Sequence, residues 1–263
     1  MNKNDSNSSA IDMSGEEELI LGRQAVLEAL RSGKPIRILL ADGLKGSIIN
    51  EITQLARQRK IPVKRLERNE LEKEFSSHGS SQGVAALAAP FEYCRLDDLI
   101  SASRSTRAEP FLIMLDHIED PHNLGAVMRT ADLVGVHGLI IPNHRAAGVT
   151  AAARKVAAGA AERLPVALVG NLNQAAERLK KEGFWLYGCE ADGSEDYYRA
   201  DYKRPLVVVI GSEGKGLSRL LRQNCDLTIS IPMPNSVNGS LNVSVAAGII
   251  IYTALAQREG WTN

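Results

Sequence analysis

From Phe111 onward the chain alternates short apolar runs with helix-length amphipathic stretches, and that alternation limits its fold more than any other feature. The runs read "FLIMLDHI", "GLIIP", "LPVALV", "FWLYGCE", "PLVVVIG" and "LTISIPM", and helical spacing begins near Asn123, Val149, Asn171, Leu217 and Asn242. Runs that are apolar without a period of two belong to strands covered on both faces, and helices between successive strands provide the cover. The predicted fold is α/β with a mostly parallel sheet. The polar stretch from Gly188 to Pro205 is predicted to be a loop. The last apolar run, "VSVAAGIIIYTALA" from Val243, is followed by Gln257, Arg258 and Glu259. It is shorter than the ~20 residues a membrane span needs, so it predicts a core helix.

The preceding residues repeat the alternation on a smaller scale. "GRQAVLEALRSGKP" has helical spacing at Val26, Leu27 and Leu30, and "IRILLA" reads as a strand. "SIINEITQLARQRK" predicts a helix capped by Ser47, and "IPVKRL", "NELEKEF" and "GVAALAA" predict strand, helix and buried strand. Residues 19–93 are therefore expected to form a small α/β domain. Residues 94–110, "CRLDDLISASRSTRAEP", begin with a short helical turn and then lose apolar periodicity, which predicts a linker to a second domain at 111–263. Residues 1–18 are polar and acidic and predict a disordered tail. They lack the basic start and apolar run of a secretory signal, so a cytoplasmic protein is expected.

Cys94, Cys189 and Cys225 lie far apart and form no Cys-x-x-Cys pair, which suggests neither a disulfide framework nor a zinc knuckle. Net charge is zero, yet residues 22–91 hold twelve Lys and Arg against seven Asp and Glu. The densest part, "RQRKIPVKRLER" from Arg57, suits either phosphate contacts or a solvated helix face.

The ligand signals lie in turns. "VVVIGSEGKGLSRL" joins a strand to a helix, the position where doubly wound folds gather backbone amides around a ligand. A dinucleotide fingerprint would need glycine at position 213, which is Glu213, and a P-loop would need Lys and Ser or Thr directly after Gly216. Both fail. An acidic residue in a glycine turn suits a ligand with positive character or with amine and hydroxyl donors, and S-adenosylmethionine is one such ligand. "ISIPMPNSVNGSLNVSVAAGIIIY" then places a Pro-, Asn- and Gly-rich loop before a long helix. Helix capping explains one of Ser240, Asn242 or Ser244 but not the cluster.

Taken in order, "DPHNLGAVMRTAD", "IGSEGKGLS" and "IPMPNSVNGSLNVSVAAGI" resemble the three motifs of the SpoU (TrmH-type) RNA ribose 2'-O-methyltransferases of the SPOUT superfamily. The resemblance covers residues 111–258. The first domain, with "SQGVAAL", is similar to the substrate-binding domain of the subgroup that methylates guanosine in 23S rRNA, although Ser81 stands where His or Asn is more usual. The resemblance implies a trefoil-knotted sheet, an S-adenosylmethionine cofactor, a homodimer, and structured RNA as substrate, with no DNA or membrane partner.

By the same resemblance Asn123, Arg129, Glu213 and Asn242 are the candidate catalytic residues, and Gly211, Ile231, Met233, Ser240 and Leu241 the cofactor-binding ones. The loop from Pro232 to Ser240 is one residue longer than the family pattern. Arg129 matches a proposed base, but an Arg with a pKa above ~12 accepts a proton poorly at neutral pH, which favours phosphate or hydroxyl anchoring. No metal is expected: His117 and His122 are five apart across Pro121, and Asp120-Pro121 reads as the turn that opens the helix carrying Asn123. His137 and His144 read as structural or surface residues. The alternatives are the same reaction on tRNA or another rRNA nucleotide, a non-catalytic RNA-binding or ribosome-assembly protein, and a nicotinamide-dependent oxidoreductase, against which the missing fingerprint argues.

Overall fold

The computed structural model describes residues 18–31, 35–75, 80–234 and 240–261. All of the expected tail except Glu18 lies outside them, as do positions 235–239 of the lengthened loop. The chain divides into two compact units, with the boundary between Phe91 and Glu92.

In the first unit, β1 (Glu18–Leu21), β2 (Pro35–Ala41), β3 (Val63–Leu66) and β4 (Val84–Ala88) form a sheet in the order β1-β4-β2-β3. β4 is antiparallel to both neighbours, whereas β3 pairs parallel to β2 and forms one edge. α1 (Arg23–Arg31) buries Val26, Leu27 and Leu30, α2 (Ser47–Gln58) buries Ile49, Ile52 and Ala56, and α3 (Arg68–Phe75) buries Leu71 and Phe75. Ser47 does not cap α2. The cap is Gly46, at φ 130° and with no side chain to donate or accept, so Ser47 falls inside the helix. Arg57, Arg59, Lys60, Lys64, Arg65 and Arg68 are all exposed around the α2–β3 turn. Ser81 is buried, and its hydroxyl accepts from the Gly83 amide at 3.1 Å, which ties it to the turn into β4.

The second unit opens with a departure from expectation. Residues 94–110 contain α4 (Leu96–Arg104), whose Leu99 and Ile100 are buried in the second unit's core. The apolar signal is short because the inward face holds only Leu96, Leu99 and Ile100 before the buried Ser103. The helix continues for another turn, with the hydroxyls of Ser101 and Ser103 bonded to the carbonyls of Asp97 and Ile100.

Beyond α4, β5 (Phe111–Leu115), β6 (Gly138–Pro142), β7 (Val166–Val169), β8 (Trp185–Cys189), β9 (Glu195–Asp196), β10 (Leu206–Ile210) and β11 (Leu227–Ser230) form a seven-stranded sheet. Its order is β7-β6-β5-β10-β8-β11-β9, and every pairing is parallel. β5 and β10 lie side by side at the centre and are buried at every position, as their unbroken apolar runs require. Because all strands point the same way, Leu115, Cys189, Ile210 and Ser230 end along one edge. In such sheets ligands bind beyond the carboxyl ends of the strands.

The helices are α5 (Pro121–Val134), α6 (Ala151–Ala157), α7 (Leu172–Lys181), α8 (Arg219–Asn224) and α9 (Val243–Arg258). α9 buries Val243, Ala247, Ile250, Ile251 and Ala254 and ends at an anchored Arg258. That guanidinium donates to the carbonyls of Glu109, Pro110, Tyr202 and Arg204 and stacks on Phe111 at 4.8 Å. Burial pushes its pKa down to about 10. Among the described residues no helix is long and apolar enough to cross a membrane.

Candidate active site

Two helix starts and one strand-to-helix turn assemble the site. Asp120 caps α5 by accepting from the His122 amide at 2.9 Å, and Pro121 sits in the first turn, so Asn123 emerges at the helix's amino end. Asn242 caps α9: its Oδ1 accepts from the Ser244 amide at 2.9 Å and the Ser244 hydroxyl at 2.6 Å. With Oδ1 committed to the cap, the amide nitrogen of Asn242 points away from the helix. It donates to Glu213 Oε1 at 2.7 Å and to Asn123 Oδ1 at 3.0 Å.

Glu213 is held by the turn after β10. Gly211 permits the turn because a Cβ there would lie 2.2 Å from the carbonyl carbon of Gly216, and the Gly216 amide closes the turn onto the Ser212 carbonyl at 3.0 Å. Glu213 Oε1 then accepts from Asn242 Nδ2, from the Val243 amide at 3.2 Å and, at the limit of a hydrogen bond, from Asn123 Nδ2 at 3.5 Å. Three of the four expected catalytic residues thus form one hydrogen-bonded cluster spanning positions 119 residues apart. Arg129 is the exception. It is exposed in the middle of α5 and lines neither cavity described below.

One cavity, of about 250 Å³, lies behind the turn. Gly211, Ile231, Met233, Ser240 and Leu241, all five expected cofactor residues, line it, with Ile210, Ile229 and Val243 adding apolar surface. Its charged lining is Glu190, Glu213 and Lys215, and the two carboxylates against one ammonium suit a ligand carrying positive charge. Sequence reasoning missed Glu190. It directly follows β8, and its Oε1 accepts from the Leu217 amide at 2.9 Å, so it braces the far side of the turn. A carboxylate at the carboxyl end of a parallel strand was the available signal. Cys189 also lines the cavity, and burial pushes its thiol well above the ordinary range. Burial likewise pushes Cys225 up to about 12, so neither supplies a thiolate at neutral pH.

A second cavity, of about 540 Å³, opens on the other side of the same turn, lined by His117, Glu119, Asp120, Asn123, Arg145 and Lys215 among others. Ser212, Glu213, Lys215, Gly216 and Val243 belong to both walls. His122 is exposed, and His117 bonds to the neighbouring Asp116 carboxylate. His137 lies elsewhere, accepting from the Phe111 amide at 3.1 Å and paired with the Thr106 hydroxyl at 2.9 Å.

Two family models match this chain: residues 110–252 match the SpoU rRNA Methylase family, and residues 19–94 match the RNA 2'-O ribose methyltransferase substrate binding family. The chain belongs to the SpoU rRNA methylase family. Among relatives of this SpoU protein, YacO of Bacillus subtilis, named for the TrmH family of tRNA/rRNA methyltransferases, is 40% identical over 94% of this chain and 98% of its own length. A Staphylococcus aureus protein named for the same family is 43% identical over 93% and 98%. Among solved structures, the SpoU methyltransferase AviRb of Streptomyces viridochromogenes, in complex with AdoMet, superposes with a TM-score of 0.72 at 26% identity, covering 93% of this chain and 91% of that one. An AdoMet-bound rRNA methyltransferase of Sinorhizobium meliloti shares the fold, with a TM-score of 0.67 at 22% identity over 94% and 89%.

Proposed function

We propose that this SpoU-family methyltransferase transfers a methyl group from S-adenosylmethionine to the ribose 2'-hydroxyl of a guanosine in 23S rRNA. The observation that carries the reading is the single wall, Ser212 to Gly216, shared by a small carboxylate-bearing cavity and a wider, more polar one. A methyl donor and a nucleotide acceptor need such adjoining sites. Gly211, Ile231, Met233, Ser240 and Leu241 would hold the cofactor, with Glu190 and Glu213 facing its cationic and hydroxyl groups. When bound, S-adenosylmethionine supplies an electrophilic methyl.

The chain's own contribution is orientation. Asn242, committed to its cap, to Glu213 and to Asn123, holds Asn123 in the wall of the wide cavity, where the second amide hydrogen of Asn123 can steer a hydroxyl, and positioning of this kind supplies much of the rate in displacement reactions. Arg129 anchors RNA phosphate or hydroxyl. Its place on the outer face of α5 fits a homodimer: Leu133, one helical turn on, is 75% exposed, and Val245 and Tyr252 of α9 are 50% and 56% exposed. Apolar surface of that extent on two packed helices calls for a partner, and a second copy would carry each Arg129 toward its neighbour's wide cavity. The basic α2–β3 surface of the first domain binds RNA backbone. The knotted path implied by the family motifs and a cytoplasmic setting belong to the same reading.

The test is methyl transfer from labelled S-adenosylmethionine to unmodified 23S rRNA, 16S rRNA and tRNA, followed by nucleotide analysis. The expected product is 2'-O-methylguanosine in 23S rRNA. Label in tRNA would reassign the substrate, and binding of the cofactor without transfer to any RNA would favour a protein that only binds RNA. Arg129→Ala is expected to abolish transfer while leaving cofactor affinity, read by calorimetry, unchanged.

A further inference from the structure

We propose that His117 accepts the proton of the substrate's 2'-hydroxyl and that the buried carboxylate of Asp116 holds it ready to do so. The inference rests on the methyltransferase reading above and adds the proton acceptor that reading lacks.

Four groups in the wide cavity could act as bases at neutral pH: His117, Glu119, Asp120 and Glu213. Glu213 Oε1 already receives three donors, so that oxygen is occupied by the cluster it holds together. Asp120 caps α5. Glu119 is exposed, and no partner among the described residues orients it. His117 differs on each count. Its Nδ1 bonds to Asp116 Oδ1, and a carboxylate can only accept there, so Nδ1 carries the hydrogen and Nε2 is left as the acceptor. Asp116 is 1% exposed, and its second oxygen takes the Ser218 amide at 2.7 Å. The carboxylate is therefore fixed between the end of β5 and the turn that carries Glu213. The imidazole is 42% exposed and can be reached by substrate.

The backbone adds an independent observation. His117 sits at φ 57°, the left-handed region, which costs a residue with a Cβ on the order of 1 kcal/mol. Held this way, the side chain lines the cavity that also contains Asn123 and Glu213. In the step itself the 2'-O–H bond breaks and its proton moves to Nε2. The oxygen forms a bond to the methyl carbon as the carbon–sulfur bond breaks, and the electron pair of that bond stays on sulfur. No further reactant is required. The charged groups facing the imidazole are Asp116, Glu119, Asp120, Arg145, Glu213 and Lys215.

His117→Gly tests this without threatening the fold, since glycine suits the backbone at that position. Its thermal midpoint is expected to stay near that of the parent, the strain relieved at φ 57° offsetting the lost bond to Asp116. Single-turnover methyl transfer is expected to fall by about 100-fold or more, with cofactor and RNA affinities unchanged, the limb of the pH profile due to the imidazole lost, and the rate restored by added imidazole. Independently of turnover, nitrogen NMR of the parent should report an Nδ1–H tautomer whose Nε2 signal moves when RNA is added in the presence of S-adenosylhomocysteine. A His117→Gly variant with the parent's rate and pH profile, or an Nε2 signal that RNA does not move, would overturn the assignment. No transfer by the parent protein to any RNA would overturn the methyltransferase reading and this proposal with it.

Discussion

Asn242 serves two ends of one side chain, and its substitutions should separate them. Asn242→Ala loses the cap, worth ~1 kcal/mol of stability, together with the bond to Glu213. Asn242→Asp keeps a capping oxygen but sets a second carboxylate against Glu213. Thermal melts and methyl-transfer assays are expected to show the alanine variant both less stable and less active, and the aspartate variant near parental stability yet inactive. His137 gives a pH signature. Burial, with a contribution from the Arg258 charge, holds its pKa below the ordinary 6.5. Below ~6.5 the unfolded chain therefore binds more protons than the folded one, so this residue's contribution is present above that pH and is lost as pH falls toward the folded pKa. Denaturant titrations from pH 7.5 to 5 should show a slope that His137→Asn reduces. The places of Asn123, Glu213 and Asn242 were legible because each sits at a helix start or turn marked by Pro or Gly, while their assignment to the site came from the family resemblance. Glu190 was passed over: its place at the carboxyl end of the β8 run was visible, but not that it braces the Leu217 amide.

At the level of elements, the turn from Gly211 to Gly216 has little room for an added side chain. Gly211→Ala would drive a Cβ into the Gly216 backbone and force the turn open. Titration calorimetry with S-adenosylhomocysteine is expected to show at least a tenfold loss of affinity, ~1.4 kcal/mol, with the far-ultraviolet circular dichroism retained. Unaltered binding would mean that the turn does not shape the small cavity. The six apolar runs of the second unit all became strands because burial on both faces imposes a pattern that local sequence carries by itself. β1 escaped notice, and α4 was legible only as a short helical turn, for the opposite reason. β1 is four residues long beside an acidic stretch, and α4 shows only three inward-facing apolar positions before its serines take over.

For the whole molecule, α4 fixes where the chain can be divided. A cut at residue 100 would remove Leu99 and Ile100 from the core of the second unit, whereas a cut after Phe91 spares them. Residues 92–263 alone are expected to bind S-adenosylhomocysteine as the full chain does and to lose most activity on rRNA. Full rRNA activity in that fragment would remove the first unit from substrate recognition. The strand order, with β10 inserted between β5 and β8, could not be read from the sequence, because apolar runs announce strands and not their neighbours.

That insertion sets Glu213 and its turn between two cavities, and a wall held in common is a means of communication. Whatever fills the small cavity presses on the surface that the occupant of the large one must meet. Affinities on the two sides are then linked, and thermodynamic reciprocity requires that RNA tighten the hold on S-adenosylhomocysteine by the same factor that S-adenosylhomocysteine tightens the hold on RNA. The chain would in this way release its spent cofactor and its product in concert.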